Sequence, residues 1–125
     1  MRGMRNNSRS VSNNEGVKLM MTEKDRAIAL ELKEKLSQVV PLVDFKVYGS
    51  RARGSATEDS DMDVFIEVAS LDSETKKKIR QIAWEVGFEH LMHISPLIFT
   101  RHEIEKSPLR ASDIVKNIEK EGVAV

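Results

Sequence analysis

Val47-Tyr48-Gly49-Ser50-Arg51-Ala52-Arg53-Gly54, followed after six intervening residues by Asp61-Met62-Asp63-Val64-Phe65-Ile66-Glu67-Val68, decides the reading of this chain. From Asp61 onward the residues alternate. Met62, Val64, Ile66 and Val68 take one parity, while Asp61, Asp63, Phe65 and Glu67 take the other, the pattern of a half-buried strand. Before the loop, Val43, Phe45 and Val47 alternate with Asp44, Lys46 and Tyr48 in the same way. In an extended strand side chains alternate faces, so the bases of Asp61 and Asp63 point the same way, roughly 6.6 Å apart. Two carboxylates at that spacing can share divalent cations. Gly49 permits a tight turn, and Ser50 can offer its hydroxyl and amide to a phosphate oxygen. Arg51 and Arg53 follow at once, suited to forked contacts with oxyanions. Mg²⁺ completes the logic, because it binds few protein carboxylates and otherwise keeps waters or substrate phosphates as ligands. The expectation is a metal-and-triphosphate site with Gly49, Ser50, Arg51 and Arg53 on the nucleotide and Asp61 and Asp63 on the metal.

Asp-x-Asp alone is a common solvated strand start, and Gly-Ser alone is simply a turn; the joint pattern at the end of one strand and the start of the next is far rarer by chance. Gly49-Ser50-Arg51-Ala52-Arg53-Gly54 with Asp59-Ser60-Asp61-Met62-Asp63 resembles the nucleotidyltransferase superfamily related to DNA polymerase beta. It is most similar to the minimal nucleotidyltransferase-domain proteins that often act as antitoxins beside a helical HEPN-domain toxin. The resemblance covers about residues 43 to 99. It implies an α/β (α+β) fold, a small mixed sheet with helices packed on one face, in which the Gly-Ser turn holds the nucleotide phosphates and the aspartates hold Mg²⁺. Active members usually carry a third carboxylate on a later strand. The matching run here, His93-Ile94-Ser95-Pro96-Leu97-Ile98-Phe99, contains no acid. Glu67 begins roughly 13 Å beyond Asp63 along the strand, too far to substitute. That leaves His93, Ser95 or a group supplied by the acceptor, with His93 taken as the third catalytic candidate; an uninvolved polar strand residue is the alternative.

Composition fits one small domain. A chain of 125 residues with 40% hydrophobic content is enough for a single core. Without cysteine, neither a disulfide framework nor a thiolate metal site is available. No apolar stretch approaches a membrane span and no signal peptide is visible, so the cytoplasm is the expected location. Net charge is zero, but Arg2, Arg5, Arg9 and Lys18 stand against Glu15 alone at the N-terminus. Residues 1–20 are therefore expected to be a disordered basic extension and 21–125 the domain. A basic tail could touch nucleic acid; a solvated extension is the ordinary reading and is preferred.

A helix is expected from Thr22, its N-cap, with Ile28, Leu32 and Leu36 as an apolar stripe and Ala29 and Val39 beside it. A second fits 72 to 86, with Ile79, Ile82, Ala83 and Val86 buried and Gly87 as terminator. Strands are expected near 43–48, 62–68 and 93–99, and Pro96 relegates the last to an edge. Thr100 and Glu103 have capping-box spacing; Pro108 suits the start of another helix that Gly122 closes. His90 and His93 straddle a helix-to-strand boundary, which disfavours a two-histidine metal clip, and His102 reads as solvated. Trp84 and Phe88 form an i,i+4 pair displaced from the buried stripe: either they wrap the edge of the core, or they present a surface to a partner or a second copy of the chain.

Two function classes follow. One is a Mg²⁺-dependent enzyme that moves a nucleoside monophosphate from a nucleoside triphosphate, ATP by preference, to an acceptor. The resemblance implies a tyrosine on a HEPN-domain protein as that acceptor. The other is an interaction protein that keeps the nucleotide site and neutralises its partner by steric cover, which the missing third acid favours.

Overall fold

A computed structural model describes residues 20–108 and 112–125. The expected N-terminal extension lies outside the described residues except for Met20.

Helix α1, Glu23–Ser37, starts where the sequence says: the Thr22 hydroxyl accepts from the Asp25 N–H at 3.1 Å. Its turns place Ile28, Ala29, Leu32 and Leu36 on one buried stripe. Val39, expected beside that stripe, falls past the end of the helix and is 49% exposed. Strand β1, Leu42–Tyr48, leads through Gly49 into the single turn α2, Ser50–Arg53, and the loop beyond it delivers strand β2, Met62–Val68. Helix α3, Ser73–Glu89, begins on an Asp72 cap that accepts from the Thr75 N–H at 2.7 Å. It then connects β2 to strand β3, Ile94–Thr100. Thr100 and Glu103 form the capping box of α4, Arg101–Lys106. Helix α5, Asp113–Glu121, starts on Ser112 rather than Pro108 and ends at Gly122.

The expected terminator of α3 needs correction. Gly87 lies inside the helix, which runs on to Glu89 with His90 as its cap. A side chain at Gly87 would collide with the Met92 carbonyl oxygen, so the glycine serves close packing of helix against returning chain. The reversal comes at Leu91, which takes the left-handed conformation at φ 54°.

The sheet order is β3-β2-β1-β4, where β4 is the two-residue strand Val123–Ala124. β1 runs antiparallel to β2 and to β4, whereas β2 and β3 are parallel, the helix α3 making the crossover such a pair requires. β3 is an edge strand, as Pro96 foretells. β4 was not expected: two residues are too short to leave a periodic signature.

The core lies between the sheet and the two long helices. Phe45, Val47, Met62, Val64, Ile66 and Val68 meet the stripes of α1 and of α3, where Ile79, Ala83 and Val86 are buried. The opposite parity faces the site and the C-terminal segment. There Phe65 and Phe99 pack with ring centroids 6.0 Å apart, and the backbone at Gly122 closes against the Lys46 stem. Val115 and Ile118 of α5 are buried apart from the main cluster.

Candidate functional site

Gly49 sits at φ 77°, ψ −157°, a region open in practice only to glycine. A Cβ at this position would lie 2.7 Å from Asp63 Oδ2. The first strand's exit is thus pressed directly against the second strand's carboxylate. Immediately after it, α2 is too short to satisfy its own leading N–H groups: the Arg53 N–H is the first to bond back, to the Gly49 carbonyl at 3.1 Å. The N–H groups of Ser50, Arg51 and Ala52 lead this turn beside the carboxylate pair, with the half-buried Ser50 side chain among them.

Arg51 is a correction. It was expected on phosphate, but its guanidinium is buried and committed to the protein. One nitrogen donates to both carboxylate oxygens of Asp25, at 3.0 and 3.1 Å. The others reach the carbonyls of Thr57, Glu58 and Ser60, at 2.9 to 3.2 Å. Asp25 is itself only 4% exposed. The fork therefore ties α1 to the backbone that immediately precedes Asp61. Asp25 lies in the first turn of α1; its partner is 26 residues away in sequence, and nothing local announces it. Arg53 remains at the surface, where it makes an open ion pair with Glu121 at 3.5 Å. Such exposed pairs contribute little and exchange readily.

The two aspartates stand at the head of β2 with different surroundings. The Asp61 side chain is 53% exposed, and its Oδ2 lies 3.3 Å from His93 Nδ1. Asp63 is more enclosed. Burial pushes its pKa above the usual carboxylate value, the Asp61 charge adds to the rise, and His93 partly offsets it. In the sheet register Asp63 is paired with Tyr48 on one side and Ser95 on the other. The Tyr48 phenol is in turn pushed up, first by burial and then by Asp63. His93 precedes β3 rather than lying in it, held by its carbonyl, which accepts from the Met62 N–H at 2.9 Å. The structure thus brings together Gly49, Ser50, Asp61, Asp63 and His93, with Tyr48 and Ser95 beside them. It keeps Arg51 out. Tyr48 could have been found from strand parity, which puts it on the face of the aspartates.

This donor set fits Mg²⁺. Two carboxylates whose charges oppose each other, one of them pushed toward its neutral form, gain from a shared divalent cation. No acid of β3 faces them, since the residues from Ile94 to Thr100 include none.

A separate group, Glu31 in the middle of α1 with Glu89 and His90 at the end of α3, has ligand atoms within 4.8 Å of one another. His90 Nε2 lies 2.9 Å from Glu31 Oε1, and Lys35 reaches the same carboxylate at 3.3 Å. That cationic neighbour makes it an ion-pair network rather than a cation site.

Residues 28–125 match the family model of the nucleotidyltransferase domain. The chain belongs to that family. Over 83 residues it is 34% identical to a protein of Methanocaldococcus jannaschii named "Putative protein adenylyltransferase", spanning 66% of this chain and 78% of the relative. Its fold can also be overlaid on the crystal structure titled "a putative nucleotidyltransferase" from Sulfolobus solfataricus, with 18% identity and a TM-score of 0.47, over 78% of this chain and 76% of that one. In this nucleotidyltransferase domain the paired aspartates and the Gly-Ser turn occupy one corner of the sheet, at the head of β2 and the end of β1. Among the described residues no helix is long and apolar enough to cross a membrane.

Proposed function

We propose that the chain transfers a nucleoside monophosphate from ATP to a hydroxyl group of a protein acceptor, with Mg²⁺ as cofactor. The observation that carries this reading is the contact of Gly49 with Asp63 beside the Asp61 carboxylate. It sets a tight glycine turn and two carboxylates side by side, which supports a phosphate and a metal bound together there. Family membership supports nucleotidyl transfer, and the name of the M. jannaschii relative supports a protein as acceptor. The resemblance to antitoxins makes a HEPN-domain protein the acceptor to try first, in the cytoplasm where ATP is abundant.

In the reaction the acceptor oxygen bonds to the α-phosphorus, the bond from that phosphorus to the bridging oxygen breaks, and pyrophosphate leaves as the hydroxyl proton is taken up. Asp61 and Asp63 would hold Mg²⁺, which when bound supplies charge neutralisation at the phosphates. The Ser50 amide and hydroxyl orient the phosphate chain, and Arg53, once free of Glu121, is the arginine available to the departing pyrophosphate. We assign the proton to His93; its ring nitrogen 3.3 Å from Asp61 and the lack of a carboxylate in β3 support that role. His93→Ala should therefore lower transfer more than it lowers nucleotide binding.

A second reading has its own observation. Asp63 faces Ser95 where an active site of this kind would place an acid, so a chain that binds nucleotide and covers its partner without modifying it is also supported. Incubating the chain with ATP, Mg²⁺ and a HEPN-domain protein encoded beside it, followed by intact mass of the partner, separates the two. A mass increase of one adenylyl group is the expected result. Neutralised partner of unchanged mass would support binding alone.

A further inference from the structure

His93 belongs to two places at once. Its Nδ1 touches Asp61, and the same residue lines a groove of about 450 Å³ between α3 and β3. Gly87 and Ile94 form part of that groove, and Trp84, Phe88 and Leu91 rise around it. These three are 60%, 67% and 91% exposed. Trp84 and Phe88 stack with centroids 5.1 Å apart, which shields one face of each ring and leaves the rest in solvent. Large apolar side chains gathered beside a sheet edge are the mark of a contact surface rather than of a core margin.

Charge decides between the possible occupants. Arg80 lines the groove, and an adjoining groove that shares Arg80 and Trp84 adds Lys77 and Lys78 against Glu74 alone. The edge that the two grooves share is positive, with Arg80, Lys77 and Lys78 beside the exposed apolar side chains. Two copies facing each other across a two-fold axis would set these cations against their equivalents, while a polypeptide with carboxylates flanking an apolar anchor would be complementary. We propose that this groove docks the acceptor polypeptide through an apolar side chain flanked by Asp or Glu, and so presents its hydroxyl past His93 to Asp61 and Asp63. The word acceptor rests on the transferase reading above; the docking chemistry does not.

Trp84 is the chain's sole tryptophan, so its emission reports occupancy of the groove directly. The probes are two synthetic peptides with the same leucine anchor and tyrosine, one flanked by glutamates and the other by lysines. The glutamate peptide should shift Trp84 emission and bind about tenfold or more tightly than the lysine peptide at low salt, the gap closing as salt is added. Phe88→Ser and Leu91→Ser, both at exposed positions, should weaken that binding about tenfold and raise KM for the peptide in adenylyl transfer, with kcat and Mg²⁺-ATP affinity held. Arg80→Glu should reverse the peptide preference. Sedimentation should find a monomer. Equal binding of both peptides, indifference to Phe88→Ser and Leu91→Ser, or a dimer that Phe88→Ser dissociates would overturn the proposal, the last in favour of a second copy. Charge-selective peptide binding in a chain that fails to bind Mg²⁺-ATP would sink the transferase reading and leave the docking surface standing.

Discussion

Between Gly49 and Asp63 the chain draws a charged side chain, Arg51, into the fold and satisfies it there, whereas between Trp84 and His93 it leaves its largest apolar side chains in solvent. Both stretches end at the same place, since His93 meets Asp61. The first spends its polar contacts on holding a geometry. The second leaves Trp84, Phe88 and Leu91 uncovered and offers surface instead. A catalytic corner needs fixed carboxylates, while a surface that receives another polypeptide needs uncovered area, and the two demands are met here by opposite uses of polarity.

The contrast can be broken most forcefully at Arg51. Arg51→Ala strands the Asp25 carboxylate in a buried position and removes the guanidinium donor from the Thr57, Glu58 and Ser60 carbonyls. Loss of one partner from a buried pair costs about 3–5 kcal/mol, so urea melts should find a large fall in stability. Arg51→Lys keeps the charge without the fork and should fall between wild type and Arg51→Ala. Were Arg51 a phosphate ligand only, both variants would melt like wild type and fail only in nucleotide binding.

Next in size is Gly49→Ala. Its backbone conformation excludes a Cβ, and the added methyl would press on Asp63, a strain of about 1–3 kcal/mol. Thermal melts should find that loss together with weakened Mg²⁺-dependent ATP binding, because the turn and the carboxylate move as one.

The other region should behave differently. Replacing Trp84 and Phe88 together by serine should change stability by less than about 1 kcal/mol, as at other exposed positions. A fall as large as that of Arg51→Ala would move the pair into the core and remove the contrast.

The smallest effect belongs to the Glu31–His90 contact. The hydrogen bond from His90 is the chief cause that holds the Glu31 carboxyl below its usual pKa, with burial working the other way. A carboxyl lowered in the folded state stabilises above its ordinary pKa, and that contribution is lost as pH falls through the folded value. Glu31→Gln should remove this acid-side loss, a difference under about 1 kcal/mol between the ordinary and the lowered pKa, since the side chain is about a third exposed and solvent screens the contact. Stability melts across that acid window measure it, and a loss that grows as pH rises would have the wrong sign.

Much of this was legible in the sequence because it is periodic or local. The parity of residues 43–48 and 62–68 placed β1 and β2 and put Asp61 and Asp63 on one face. Thr22 and Thr100 announced their helices through short-range caps, and Pro96 announced an edge. What escaped was either too short or too far apart. β4 has two residues and no period, and Gly87 resembles a helix terminator until the return of Met92 across it is known. Arg51 carried the right chemistry for phosphate and was assigned to it. Only the three-dimensional approach of Asp25 reveals that its charge is already used.

The central claim is that Asp61 and Asp63 form one metal-dependent nucleotide site. Asp61→Asn with Asp63→Asn removes two charges at nearly constant shape, and with them go the burial of the Asp63 charge, the main cause of its raised pKa, and the repulsion from Asp61. Titration calorimetry of ATP with and without Mg²⁺, on wild type and on the double variant, tests it most directly. The account predicts Mg²⁺-dependent binding in wild type and its loss in a double variant that melts no lower than wild type. Unchanged Mg²⁺-dependent affinity in the folded double variant would contradict it.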